Sequence, residues 1–129
     1  MQLPIQLSKD SREPIYHQIE NQLKALIAGG QLTAGTSLPS IRGLSKDLEV
    51  SIITTRRAYQ NLENHGFIRT SQGKGTFVAD IAAATKQQVK HDAVYQTMQN
   101  AIDTALRYDY SIDQVEAIFH NIIRSRKGD

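Results

Sequence analysis

Residues 38–78 read LPSIRGLSKDLEVSIITTRRAYQNLENHGFIRTSQGKGTFV and contain two short segments with apolar residues at helical spacing. Ser40 and Ser51 precede these segments, and serine is a favoured N-cap because its hydroxyl accepts a hydrogen bond from a free N–H of the first turn. The pattern therefore predicts one helix over 41–48 and a second over 52–64, with a tight turn between them.

A glycine-rich segment follows the second helix. The run 71–75, Ser-Gln-Gly-Lys-Gly, is typical of a turn, and the residues on either side, 67–69 and 76–78, favour short strands. A two-stranded hairpin is marginal by itself, so Phe67 and Phe77 are expected to pack against the helices. Two helices across a tight turn and then a basic hairpin are the layout of a winged helix-turn-helix, which binds duplex DNA.

The rest of the chain is predicted to be helical and to contain one loop. Apolar spacing predicts a first helix over 14–28 and a loop over 31–39. A long helix is expected over 82–107 and a last helix over 112–124, which the capping-box pattern starting at Ser111 opens. The polar tail after this helix is expected to fray.

The predicted fold class is mostly α with a small β-hairpin. We expect a winged helix-turn-helix DNA-binding domain over 1–79 and a helical dimerisation region over 80–129. The chain has 129 residues and no cysteine, which excludes disulfides and cysteine-based metal sites. It has neither a long apolar span nor a secretory signal at its start, so a soluble, cytoplasmic protein is expected.

Charge is unevenly distributed along the chain. The net charge is +2, but residues 40–79 carry six basic and three acidic side chains, a net charge of +3. Residues 1–39 are neutral in sum and residues 80–129 carry −1. The positive excess therefore falls on the segment that is expected to meet the polyanion, although a solvated surface could show the same excess.

Several residues of this segment have the chemistry of a DNA reader. Ser51 and the free N–H groups at the start of its helix can bind a phosphate, and Arg42 can brace a phosphate or reach a base. Thr54, Thr55 and Arg56 are expected to reach base edges, while Ile53 or Thr54, Ala58 and Leu62 are expected to form the inward face. In the hairpin, Gly73 and Gly75 permit close approach of the backbone, and Lys74 supplies charge.

The order of these residues resembles the GntR family of bacterial transcription regulators. The family pattern is LPS-x-R-x-LA, VS-x-x-T-x-x-RA, LE-x-xG and QG-x-G-T-x-V, and most of its positions are matched over 38–78. The resemblance implies DNA contacts by Arg42, Ser51, Thr54, Arg56, Gln72, Gly73 and Lys74. Ile41 and Ile52 depart from it, standing where many members have Glu and Arg, and Ile52 is interpreted as a candidate contact to a thymine methyl group.

The short tail indicates a subfamily and a partner. About 50 residues follow Val78, too few for a large effector domain or an aminotransferase fusion, and the tail resembles that of the YtrA-like subfamily. This implies a homodimeric repressor joined through its C-terminal helices, often controlling transporter operons. The apolar stripes expected at the dimer interface are Val94, Met98, Ile102, Leu106, Val115, Ile118, Phe119 and Ile122. The same stripes could instead line a pocket for a small-molecule effector.

Two other classes of function are weighed against DNA binding. A winged helix can serve only for contact with protein or RNA, since a fold does not determine a function. An enzyme is not expected, because no nucleophile–base or paired-carboxylate constellation stands out. The four histidines, His17, His65, His91 and His120, share no metal-ligand spacing, and no cofactor is expected.

Overall fold

The computed structural model describes residues 2–128. Within them the chain forms five helices: α1 Ile15–Ala28, α2 Ile41–Leu48, α3 Ile52–Asn64, α4 Ala83–Arg107 and α5 Ile112–Arg126. Three short strands complete the structure: β1 Ser37–Leu38, β2 Ile68–Ser71 and β3 Gly75–Val78. The expectation of a mostly α-helical chain with a small winged element is confirmed, and the helix bounds lie within two residues of those predicted.

Serine caps determine where three of the helices begin. Ser40 Oγ accepts a hydrogen bond from the Gly43 amide at 2.9 Å at the start of α2. Ser51 Oγ plays the same part for α3, accepting from the Thr54 amide at 3.1 Å. At the start of α5, Ser111 and Gln114 form the reciprocal capping box that the sequence indicates. These caps satisfy amides that have no partner inside the helix, and so each helix starts where its serine stands.

The sheet contains one strand more than predicted. Its order is β1-β3-β2, and all pairs are antiparallel. The prediction of a loop over 31–39 and of a two-stranded hairpin is wrong at this point, because Ser37 pairs with Phe77 and Leu38 with Thr76. Two residues are too few to show the alternating pattern of a strand, so no periodic signal was available.

The residues before α1 belong to the core of the first unit. Leu3 and Ile5 are buried and join a cluster formed mainly by α1, α2, α3 and the sheet. Two glutamines of α1 hold this N-terminal segment in place. Gln22 exchanges hydrogen bonds with the backbone of Gln6, at 2.9 and 2.7 Å, and Gln18 exchanges a second pair with the backbone of Ser8.

The chain divides into two compact units, and the division lies inside α4. The first unit ends at Lys90 and the second begins at His91, later in the chain than the boundary expected after residue 79. In the second unit, Asp109 has a φ of 65° in the connection between α4 and α5, and the Tyr110 amide donates to the Ala105 carbonyl. α5 runs to Arg126, so part of the tail that was expected to fray is helical, while Asp129 lies outside the described residues.

Every helix within residues 2–128 is too short or too polar to cross a membrane.

Candidate nucleic-acid interface

The packing of α2 against α3 sets the geometry of the interface. Leu44 and Leu62 are fully buried between these elements and α1. Beside them Ser45 Oγ donates a hydrogen bond of 2.8 Å to Thr55 Oγ1, and both residues are buried. The turn between the two helices passes through Glu49 in the left-handed conformation, with φ 57° and ψ 46°. This combination holds α3 at a fixed angle to α2, as groove insertion requires.

Thr55 does not face outward, and the prediction that it reaches a base edge is wrong. Its side chain is fully buried, and its hydroxyl oxygen accepts the hydrogen bond from Ser45. The inward face of α3 is formed by Thr55, Ala58, Tyr59 and Leu62, at spacings of three and four. The expectation that Ile53 or Thr54 belongs to that face is therefore also wrong: Ile53 is exposed and Thr54 is half-buried at its edge.

The face of α3 opposite the core carries Ile53, Arg56 and Gln60, all exposed. A rotation of about 100° per residue places these three on one stripe, which is the part of α3 free to enter a groove. Arg57 is directed elsewhere, since its guanidinium lies 3.9 Å from the centre of the Tyr16 ring of α1. Of the two adjacent arginines, both of which are exposed, Arg56 is the one on the outer stripe of α3.

A pair of hydroxyls stands at the start of α3. Ser51 Oγ donates to Thr54 Oγ1 at 2.8 Å while it accepts from the Thr54 amide. Thr54 Oγ1 accepts in this pair, so its own hydrogen remains available for an acceptor such as a phosphate oxygen. Ser51 is expected to bind a phosphate and Thr54 to reach a base edge, and this geometry leaves the Thr54 hydroxyl able to donate to either kind of acceptor.

A side-chain hydrogen bond connects α3 to the segment that precedes α2. Tyr59 donates its phenolic hydrogen to the Pro39 carbonyl at 2.7 Å, and burial raises the pKa of Tyr59 above its ordinary value. This bond fixes the segment that leads into α2, two residues before Ile41. Arg42, in the first turn of α2, is exposed and stands on a rigid support.

The hairpin of β2 and β3 forms the wing. The Lys74 amide donates to the Ser71 carbonyl at 2.9 Å, and Gly73 has a φ of 81°, which the third position of a type II turn requires. Gln72, Gly73 and Lys74 are exposed at the tip of the wing. Because Gly73 has no Cβ, the backbone at this tip can approach a sugar-phosphate edge closely. These three expected contact residues therefore lie together.

The aromatic residues of the wing have different environments. Phe67 is buried in the core, as predicted. Phe77 is half-buried outside that core, and its ring lies 5.2 Å from the Arg69 guanidinium on the paired strand, so the prediction that it packs on the helices is wrong. This cation–π contact on the wing occupies Arg69, which leaves Lys74 as the cation at the tip.

Lys9 is a candidate contact that sequence reasoning missed. An open groove of about 540 Å³ runs beside the start of α3, and Lys9 lines it together with Ser51 and Thr54. The glutamine clamp at Ser8 holds the preceding backbone against α1. A lysine in a segment without periodicity gives no signal in the sequence, and only the return of the N-terminal segment across the fold reveals its position.

The side chains expected at a dimer interface fall into three groups. Val94, Met98, Leu106, Ile118 and Ile122 are exposed, between 43% and 56% of their full area. Ile102 and Phe119 are half-buried. Val115 is buried by its own chain, at 6% exposure, so its placement at an interface is wrong: it supports the packing of α5 instead.

Comparison with known proteins identifies the family. The model of the bacterial regulatory proteins of the gntR family matches residues 15–78. The chain is 30% identical to the HTH-type transcriptional repressor YtrA of Bacillus subtilis over 124 residues, which is 96% of this chain and 95% of YtrA. The chain belongs to the GntR family. The resemblance to its YtrA-like members, suggested by the short tail, is confirmed by this nearly full-length match.

Two solved structures show the fold and its use in related proteins. A GntR family transcriptional regulator from Listeria monocytogenes superposes with a TM-score of 0.72 at 29% identity, covering 87% of this chain and 97% of that one. The AraR DNA-binding domain, solved in complex with operator ORX1, gives a TM-score of 0.50 at 32% identity, covering 61% of this chain and 92% of that one. This GntR chain is a DNA-binding transcription regulator and not an enzyme.

One departure from the GntR pattern, Ile52, lies at the start of α3. Ile52 stands where many members have Arg, and its side chain is half-buried. At this position the chain therefore has neither the cation nor a fully exposed apolar group that could contact a base. Ile53, one residue later, is the exposed isoleucine of α3. A helical wheel that starts from Tyr59 as a core residue would have placed Ile53 on the outer face.

Proposed function

We propose that this GntR regulator is a homodimeric repressor that binds a palindromic operator through the outer face of α3 and the wing. The observation that carries the proposal is the joint presentation of Arg56 on α3, Arg42 on α2 and Lys74 at the wing tip as exposed cations. Ser51 and Thr54 stand among them at the start of α3. Base reading is assigned to Arg56, because arginine is the commonest bidentate reader of guanine.

Phosphate contacts are assigned to the residues around this reader. Arg42, Ser51, Thr54 and Lys74 would position α3 on the duplex, and Gln72 and Gly73 would let the wing approach the backbone. Each cation of this group adds a sequence-independent term, because binding releases counterions from the DNA. The alternative of a module for protein or RNA contact gives no reason for a rigidly supported arginine and a glycine-rich basic wing in one unit.

The homodimer is supported by the exposed apolar side chains of the second unit. Val94 and Met98 on α4, and Ile118 and Ile122 on α5, each leave between 43% and 56% of their area accessible in the single chain. Their burial against the same side chains of a second copy would form a two-fold interface. Two copies of α3 would then read half-sites about one helical turn apart.

Repression is proposed from the relatives, since YtrA of Bacillus subtilis is named as a transcriptional repressor. The resemblance to YtrA-like members further suggests a transporter-type operon as the target. A small-molecule effector that binds in the dimer seam would act by shifting the population of DNA-competent dimers. Thermal-shift measurements against a metabolite panel would detect it as a rise in melting temperature, and a panel without effect would remove it.

Selection of duplexes from a random pool tests the DNA proposal without knowledge of the operator. We expect enrichment of an inverted repeat, with tight binding by the wild type and by Arg124→Ala, an exposed arginine of α5. Arg56→Ala should lose about 1–3 kcal/mol on the selected duplex. A pool that remains random after repeated selection would contradict the proposal.

Light scattering tests the dimer. We expect the mass of two chains for the wild type and of one chain for Met98→Asp, because a buried unpaired carboxylate is costly. Gln96→Asp, two residues away on the same exposed helix, serves as the matched control and should remain a dimer. If both variants kept the wild-type mass, the interface would not involve this stripe.

A further inference from the structure

Ile53 is placed where an aliphatic side chain has no partner in the protein. It is 76% exposed, the largest value for an aliphatic side chain among the large hydrophobic residues within 2–128. A single exposed apolar residue on an ordinary surface needs no explanation. Ile53 lies instead near the start of the helix that carries Arg56, on the surface proposed to enter a groove.

The phase of α3 fixes the direction of Ile53. Thr55, Ala58 and Leu62 are fully buried and define the inward side of the helix. Ile53 lies roughly 160° from Thr55 around the helix axis, given about 100° per residue. It therefore shares the outer stripe with Arg56 and Gln60, three and seven residues later.

The major groove presents one apolar group to such a side chain, the C5-methyl of thymine. We propose that Ile53 selects thymine by packing against this methyl group, at a base pair next to the one that Arg56 reads. This inference rests on the proposed operator binding and adds to it a specificity-determining residue. It replaces Ile52 as the candidate for this contact, since Ile52 is half-buried.

The expected effect is small and well defined. Burial of one methyl or methylene group contributes about 0.8 kcal/mol, which corresponds to about a fourfold change in affinity. Deoxyuridine pairs with adenine as thymidine does and lacks only the methyl group. Replacement of one thymidine by deoxyuridine therefore removes the proposed contact and leaves the hydrogen-bonding pattern of the base pair unchanged.

The experiment uses the duplex that the full-length protein selects from a random pool. Each thymidine of the two half-sites is replaced by deoxyuridine in turn, one replacement per duplex, and the affinity is measured. We expect wild-type affinity to fall about fourfold at one thymine position per half-site. Ile53→Ala should bind the unmodified duplex more weakly and be insensitive to deoxyuridine at that position. Ile52→Ala is the matched control, and it should keep the wild-type sensitivity.

Two outcomes would overturn the inference, and they are distinguishable. In the first outcome, the wild type prefers the selected duplex, but no deoxyuridine substitution lowers its affinity, or Ile53→Ala loses affinity on the same substitution as the wild type does. The methyl contact is then absent, while operator binding stands. If the wild type shows no preference for the selected over a scrambled duplex, the proposed function fails and the inference fails with it. Circular dichroism of Ile53→Ala verifies folding, which an exposed substitution should leave intact.

Discussion

Ser45 on α2 and Thr55 on α3 are joined by a buried hydrogen bond of 2.8 Å between their hydroxyl oxygens. Ser45 Oγ also lies 3.4 Å from the Ser51 carbonyl, at the cap of α3. These contacts set the angle between the two helices from inside the core, close to the outer residues that would meet DNA. Thr55 is therefore a residue of the scaffold, although it stands between two positions that are proposed to contact DNA, Thr54 and Arg56.

Removal of both hydroxyls should cost less than the sum of the two single removals. Thr55→Val should lower the free energy of unfolding by about 1–3 kcal/mol, because it removes the buried 2.8 Å hydrogen bond and leaves Ser45 Oγ only the longer 3.4 Å contact with the Ser51 carbonyl. The double variant Ser45→Ala with Thr55→Val should lose less than the sum of the single variants. Urea denaturation of the four proteins measures this coupling. Strict additivity would show that the two hydroxyls do not act as a pair.

Two isoleucines should respond very differently to the same substitution. Ile5→Ala should lower the free energy of unfolding by about 2–5 kcal/mol, because Ile5 is buried in the core of the first unit. Ile53→Ala should change it by no more than about 0.5 kcal/mol, because Ile53 is exposed. Equal melting temperatures for the two variants would mean that the N-terminal segment contributes nothing to the core.

Because of Tyr59, the free energy of unfolding of the first unit should change with pH in the alkaline range. Its folded-state pKa is raised by burial, whereas in the unfolded chain tyrosine ionises near about pH 10. The unfolded state therefore loses its proton first, and the stabilisation is complete below about pH 10 and decreases as the pH rises above it. Tyr59→Phe lacks this term, and it also lacks the hydrogen bond to Pro39.

The measurement is the difference in free energy of unfolding between the wild type and Tyr59→Phe at two pH values. At pH 8 the wild type should be more stable by about 1 kcal/mol, the usual net contribution of one hydrogen bond. At a pH about one unit above 10 this advantage should shrink or reverse. A difference that stays constant would contradict the burial of an un-ionised phenol. The exposed tyrosines are present in both proteins and cancel.

Much of the fold follows from short-range signals in the sequence. The serine caps predict where α2, α3 and α5 begin, because capping depends only on residues within one turn. Gly73 likewise indicates the wing turn, since its φ of 81° suits glycine. The sequence therefore predicts the structure correctly at these helix starts and at this turn, where residues within one turn of each other determine it.

Long-range contacts could not be read in this way. β1 is two residues long and exists because β3 pairs with it. The N-terminal segment is held by glutamines of α1 and by burial of Leu3 and Ile5 in a core formed mainly by later elements. At the candidate site, the polarity of Thr55 suggested an outward position, but its burial depends on Ser45, ten residues earlier. The direction of Arg57 similarly depends on Tyr16 of α1.

Arg56 and Lys74 should have separable roles in DNA binding. Arg56→Ala should cost about 1–3 kcal/mol on the selected duplex and relax its specificity at one position, because a bidentate base contact is lost. Lys74→Ala should weaken binding to all sequences alike and reduce the salt slope by about one. Fluorescence anisotropy on selected and scrambled duplexes distinguishes the two patterns. Identical behaviour of both variants on both duplexes would show that the assignment of base and phosphate contacts is wrong.

The measurement that tests the central claim most directly is a titration of the wild-type protein onto the selected duplex and onto a scrambled one, at about 50 and 200 mM salt. The account predicts a clear preference for the selected duplex at both salt concentrations, with affinity falling steeply as salt rises, and a preference reduced by about 1–3 kcal/mol in Arg56→Ala. Equal, weak binding of both duplexes by the wild type would contradict it, because the outer face of α3 would then not read sequence.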